Sequence, residues 1–302
     1  MSEVRRGLLF GVAAYLMWGS FPLYWPLLEP SGAVEILANR IVWSTVVMVV
    51  LVVLLRRRGA LRAIVANRRT TLLLVVAAIT ITLNWGTFIY GVNSDRVVET
   101  SLGYFINPLV TVLMGVLILG ERLRPLQWAA LGIGLIAVIV LTVDYGRPPV
   151  IALVLACSFG TYGLAKKAAG AGAIESLTFE TAIITPFAVA FLIWLSADGG
   201  GHFTTEGSGH AVLMVTTGIV TAVPLLCFSA AATRIPMTSL GLLQYLTPTC
   251  QFLIGIVVVG EHMPPGRWVG FGLVWLALAV FSFEALGNRR RQLDLIAESS
   301  AA

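Results

Sequence analysis

Ten apolar runs, each long enough to cross a bilayer as a helix, leave this chain few ways to fold. Bounded by Gly, Pro and charged residues, they cover residues 7–28, 34–55, 71–93, 97–119, 125–143, 149–166, 174–196, 210–232, 237–259 and 265–286. A membrane helix needs roughly 20 apolar residues to cross about 30 Å of hydrocarbon. Barrel strands would be shorter and would alternate in polarity, which these runs do not. Of the 302 residues, 58% are hydrophobic and only 12% charged. Ordinary soluble domains carry roughly 25% charged residues. The composition therefore excludes a water-soluble enzyme, a disordered chain and a coiled coil. It predicts an all-α polytopic membrane protein with ten transmembrane helices.

The charges fix an expected orientation. The chain has 20 Lys and Arg, and a net charge of +5. These residues lie in short clusters between the apolar runs rather than on one basic face, so the partner they imply is the lipid bilayer and not nucleic acid. One set of helix ends holds 16 of them, including Arg5, Arg6, Arg56, Arg57, Arg58, Arg122, Arg124, Lys166, Lys167, Arg234 and Arg289. The other set holds Arg96, Arg147 and Arg267, plus Arg40 just inside the second run. The positive-inside rule then predicts that both termini are cytoplasmic. The first run follows Arg5 and Arg6 in the manner of a signal peptide, but it is too long and no cleavage site follows, so it reads as uncleaved. The loops are short, and no G-x-x-x-x-G-K-[ST] phosphate loop is present.

The halves of the chain match at an offset near 140. Thr100-Ser101-Leu102-Gly103 recurs as Thr238-Ser239-Leu240-Gly241, Gly120-Glu121 as Gly260-Glu261, and Gly32-Ala33-Val34-Glu35 as Gly172-Ala173-Ile174-Glu175. Five spans per half is an odd number, so the second copy must enter the membrane inverted. The expected units are residues 7–143, residues 149–286 and a polar, mobile cytoplasmic tail at 287–302. Inverted repeats around a midplane site are a hallmark of secondary transporters.

The two five-helix repeats, each with a Gly-Glu after its fourth span, resemble paired EamA domains of the drug/metabolite transporter superfamily. Within it, three segments resemble RarD-type proteins: Gly11 to Trp25 (GVAAYLMWGSFPLYW), Glu35 to Ser44 (EILANRIVWS) and Ser101 to Leu109 (SLGYFINPL). The resemblance runs along nearly the whole chain and is more specific in the first half. It implies an inner-membrane exporter or exchanger of small metabolites or drugs, with spans 1, 3, 4, 6, 8 and 9 enclosing a central cavity. A channel, and a sensor or accessory subunit, are the alternatives.

Polar groups inside spans should face a cavity or a neighbouring helix. Stripes at helical spacing make Tyr15, Trp18, Asn84, Thr87, Asn107, Thr161, Tyr162, Thr221, Gln244, Tyr245 and Gln251 the candidate cavity residues. Ser and Thr there can instead bond their own backbone, but the amides of Asn and Gln have more bonds to satisfy. Arg40 and Glu180 align across the repeat with opposite sign. A charge at a helix centre costs roughly 2.5–3.5 kcal/mol on insertion scales. Arg40 is therefore expected to pair with Glu99 or Asp95, and Glu180 with Arg234 or Lys166, as gates at the two mouths. Glu121 and Glu261 are expected to cap the helices that follow them. His202, His210 and His262 lie in loops or at span ends, and the three cysteines have no ligand spacing. No catalytic residue, metal or cofactor is expected. The expected partner is a small-molecule substrate, with the chain acting as a monomer or homodimer.

Overall fold

The computed structural model describes residues 3–119, 123–232, 234–235, 239–240 and 243–301; at 118–119, 232 and 285–301 only the backbone is described. Among the described residues there is no strand. The helices are α1 (Glu3–Gly19), α2 (Phe21–Tyr24) with a 3-10 turn at Trp25–Leu28, α3 (Ala33–Leu54), α4 (Arg58–Ala66), α5 (Arg68–Asn93) and α6 (Val97–Leu119). They continue with α7 (Pro125–Tyr145), α8 (Val150–Ala169), α9 (Ala173–Ala197), α10 (Ser208–Ala232), α11 (Leu246–Val257) and α12 (Pro265–Ala301).

Among the described residues, eight helices are long and apolar enough to cross a membrane, or nine if α1 and the bent segment after it form one span. The chain is thus a polytopic helical membrane protein. Its outward faces are apolar: Leu54, Leu117, Leu135, Val143, Phe187 and Phe283 are all exposed. So much exposed apolar surface suits contact with lipid rather than water.

Helix ends follow local chemistry. Asn67 caps α5 by accepting a hydrogen bond from the Thr70 amide at 3.1 Å. α7 begins at Pro125, where a missing N–H leaves no bond unmade. Gly146 and Gly170 end α7 and α8 in the left-handed conformation, with φ of 65° and 62°, a region that suits a residue without a β-carbon.

Four segments depart from the sequence expectation. Residues 58–66 form the helix α4 rather than a plain loop; its Ile64 is buried against Leu74, Ala77 and Ala165, while Arg58 and Arg62 stay exposed. The 45° bend after Gly19 breaks the first run, with Pro22 and Pro26 each starting a new short element. The ninth run does not make one helix: Gln244 and Tyr245 lie in a turn, and helix resumes at Leu246. Pro248 falls in the first turn of the new helix, where its absent N–H leaves no bond unmade, whereas Pro108, Pro186 and Pro224 lie inside α6, α9 and α10. At the C-terminus, α12 runs through the segment expected to be a mobile tail. Apart from Gly287, that segment is free of Gly and Pro and rich in good helix formers.

The interior is organised by pairs. α8 packs against α5 and α6, α1 against α10 and α11, α3 against α9 and α10, α6 against α11, and α7 against α12. Close approach at these crossings relies on glycine. A β-carbon at Gly218 would collide with the backbone of Trp43, so only glycine lets α10 meet α3 there. The largest core lies between α6, α7, α8, α11 and α12, where the Phe252 and Phe271 rings sit 4.8 Å apart.

Ion pairs gather at two ends of the bundle. At the arginine-rich end, Arg57 meets Glu175, Lys166 meets Glu180, Arg234 meets Glu3 and Arg124 meets Glu284. At the opposite end, Arg147 meets Glu99 and Arg267 meets Asp144, and the His202 Nδ1 lies 2.8 Å from a Glu35 carboxylate oxygen.

Candidate functional site

The six helices α1, α5, α6, α8, α10 and α11 carry a run of polar and aromatic side chains along the bundle interior. Asn84 on α5 is 1% exposed. It donates to the Leu155 carbonyl at 3.0 Å and to Ser158 Oγ at 3.1 Å, and accepts from the Tyr104 hydroxyl at 3.1 Å. One amide therefore clasps three helices. Asn107 on α6 donates to the Ala156 carbonyl at 3.1 Å, a second tie to α8. Gln251 on α11 donates to the Trp18 carbonyl at 3.3 Å, while its buried Oε1 has no partner among the described residues.

Tyr15, Trp18 and Phe228 form a ring cluster with centroids 5.6 to 6.1 Å apart. Across the bundle, Tyr104, Phe159 and Tyr162 form another. Thr161 returns its hydroxyl to the Cys157 carbonyl of its own helix at 2.8 Å. Thr87 is half-buried. Gln244 is exposed in the turn before α11, and Tyr245 packs into the large core beside α12 rather than with Trp18. The broken ninth span rotates these two residues off the expected stripe.

The charged candidates separate. Glu180 is 1% exposed and pairs with Lys166 at 2.9 Å, as expected, with the Tyr162 hydroxyl at 3.3 Å. Lys166 also donates to Ser176 Oγ at 2.6 Å. Arg234 pairs instead with Glu3 at 3.1 Å. Arg40 does not pair with Glu99 or Asp95. Glu99 is taken by Arg96 at 2.7 Å and Arg147 at 3.0 Å, and it caps α8 by accepting from the Ile151 amide at 3.1 Å. The reason is placement: α3 carries Arg40 against α5, α9 and α10, whereas Glu99 on α6 faces the start of α8.

Arg40 is 3% exposed. Its Nε donates to Thr221 Oγ1 at 3.0 Å. Its guanidinium lies 4.0 Å from the centre of the Trp85 ring, 5.0 Å from Trp25 and 5.6 Å from Phe21. Sequence reasoning missed these three rings. An arginine within an apolar span, with tryptophans in flanking spans, was the available signal.

Glu261 also departs from expectation. Its Oε1 accepts from the Val98 amide at 2.8 Å, so it caps α6 in the other half of the chain and not the helix that follows it. Gly260, at φ 74°, turns the chain back after α11 and aims the carboxylate at α6. Burial raises the Glu261 carboxyl to about 7, against the pull of the Val98 and Val97 amides and of Arg267. Glu121, its counterpart, lies outside the described residues.

A helical bundle with this interior and apolar exterior is the architecture of a membrane transporter, and the comparisons agree. A model of the EamA-like transporter family matches residues 5–143 and again residues 148–283. The chain belongs to that family, as a RarD-type member of the drug/metabolite transporter superfamily. It is 53% identical to Protein RarD of Streptomyces exfoliatus over 96% of this chain and 92% of that one. It is 39% identical to Protein RarD of Escherichia coli K12 over 96% and 98%. It is 40% identical to the uncharacterized transporter YojE of Bacillus subtilis over 96% and 97%. A solved crystal structure shares the fold, with a TM-score of 0.59 at 18% identity, covering 92% of this chain and 97% of that one.

Proposed function

We propose that this protein is an inner-membrane secondary transporter that exports or exchanges small organic solutes by alternating access. In this reading ten spans form two inverted halves, residues 7–143 and 149–286, with both termini cytoplasmic. The observation that carries it is the pattern of helix pairings. Exchange α1 with α8, α3 with α9, α5 with α10, α6 with α11 and α7 with α12, and the principal pairings return: α1–α10 becomes α8–α5, α1–α11 becomes α8–α6, and α3–α10 becomes α9–α5. Two near-equivalent halves can rock about a shared axis between two states of similar energy.

The sorting of ion pairs to two ends supports the alternation of spans, with α11 as the shortened ninth crossing. The end opposite the arginines supports a shut outer mouth. There Val97, Val98, Thr100, Ser101 and Leu102 are fully buried. A β-carbon added at Gly255 would lie 3.1 Å from the Val98 nitrogen, so α11 crosses α6 with no room to spare. The cavity residues of this reading are Tyr15, Trp18, Asn84, Asn107, Tyr162, Thr221 and Gln251. The names of its relatives in Pseudomonas aeruginosa and Bacillus subtilis support transport and leave the substrate open.

The test is a metabolite and drug flux screen in proteoliposomes, with and without a pH gradient. Saturable counterflow is the expected result. Unitary conductance steps would replace the reading with a channel, and no flux of any solute would replace it with a sensor or accessory subunit.

A further inference from the structure

Arg40 is a fixed cation deep in the bundle that no described carboxylate neutralises. α3 starts at Ala33, so Arg40 lies about 10 Å along it. A guanidinium has five N–H donors in its plane and can also stack by its face. Here the aromatic rings of Trp85, Trp25 and Phe21 surround it, and Thr221 takes one donor, from Nε. Ring contacts do not satisfy N–H groups in the plane, so the Nη donors keep their capacity for an acceptor.

Two further polar groups nearby are unsatisfied among the described residues. Trp25 is fully buried and its Nε1 donor has no partner. Ser44, one helical turn beyond Arg40 on α3, is also fully buried with an unpartnered hydroxyl. Buried donors are ordinarily bonded, and each exception calls for a cause. A cation and two orphaned hydroxyl or indole groups, walled by aromatic rings, share one chemical need, an anionic acceptor attached to an apolar body.

From this arrangement we propose that Arg40 is the anion-recognition residue of the transport site, and that the substrate class is small organic carboxylates with an aromatic or apolar body. The carboxylate accepts a forked pair of hydrogen bonds from the Arg40 Nη groups. Trp85 and its neighbours take the apolar body. Thr221 is a positioning residue, since it holds Nε and so orients the fork. This rests on the transporter reading and names what that site takes.

The probe is benzoate, compared with benzyl alcohol and benzylamine, which keep the ring and lose or invert the charge. Tryptophan fluorescence and thermal unfolding of the purified full chain in nanodiscs are read together. Benzoate is expected to quench tryptophan saturably and raise the unfolding temperature, while the alcohol and the amine do neither. Arg40→Gln should lose saturable binding. Arg40→Lys should keep the charge without the fork and bind about tenfold more weakly. Thr221→Val should weaken binding without abolishing it.

Equal responses to benzoate and benzyl alcohol overturn the proposal, as does unaltered benzoate binding by Arg40→Gln. An absence of response to benzoate, phenylacetate and octanoate alike overturns it too. The wild-type comparison of charge needs no variant, so it decides the matter even if Arg40→Gln fails to fold. Counterflow of neutral or cationic solutes with no anion response would leave transport standing and remove only the carboxylate assignment.

Discussion

Glu261 reaches the backbone amide of Val98 at 2.8 Å, a contact between residues 163 positions apart. It joins the loop after α11 to the first turn of α6.

Closure at this end should depend on pH. The Glu261 carboxyl is raised to about 7 from an ordinary 4.5. For an acid raised on closing, the closed form binds the extra proton. Closure is therefore most favoured at low pH and loses that advantage as pH rises from 4.5 toward 7. Labelling of a Ser101→Cys variant by an impermeant maleimide, divided at each pH by the rate for the unfolded chain to remove the thiol's own ionisation, should slow as pH falls through this window, and Glu261→Gln should remove that residual dependence. Asp95, Arg96, Glu99, Arg147, His262 and Arg267 line the same cleft of about 580 Å³.

Asn84 should matter for folding as well as for transport. Asn84→Leu strands the Tyr104 hydroxyl and removes two donors that hold α8. A buried polar group left unpaired costs about 1–3 kcal/mol. Reversible unfolding in nanodiscs should show a loss of that size, and Asn84→Asp should lose similar stability through its missing donors.

Lys166 and Glu180 should behave as a buried pair. Removing one partner leaves an uncompensated charge and typically costs about 3–5 kcal/mol, while replacing both with apolar residues is often nearly neutral. Lys166→Met alone should therefore destabilise more than Lys166→Met with Glu180→Leu. Equal losses in the single and double variants would assign the pair no coupling.

Arg40 and Glu99 should be independent, because Glu99 is bound by Arg96 and Arg147 while Arg40 is held by Thr221. Effects of separate sites add to within about 0.3–0.5 kcal/mol. A double-mutant cycle of Arg40→Gln and Glu99→Gln, read by unfolding, should show additivity. Coupling beyond that margin would mean that the two meet in another conformation of the protein.

Topology can be read by labelling. Cysteines at Gly146 and Gly200 should react with impermeant reagents from outside the cell, and cysteines at Gly59 and Asn288 should not. Outside reaction at Gly59 would reverse the orientation.

Eight of the ten apolar runs were legible in the sequence as single long helices among the described residues, because the bilayer imposes a length rule on every helix, independent of its neighbours. The same rule located Arg40, Glu180 and Asn84, since a strongly polar side chain stands out in an apolar run. Partners were another matter. Arg40 met three aromatic rings and Thr221 rather than Glu99, and Glu261 capped α6 rather than α12, because helix rotation and crossing decide which faces meet. Periodicity names a face without naming what it faces. The turn at Gln244 and Tyr245 likewise hides in an apolar run, where Pro248 can kink a helix or restart one. Hydrophobicity, which acts on each segment alone, was determined by the sequence by itself. Pairing between segments far apart in the chain depends on close packing and directional hydrogen bonds, and only the tertiary structure decided it.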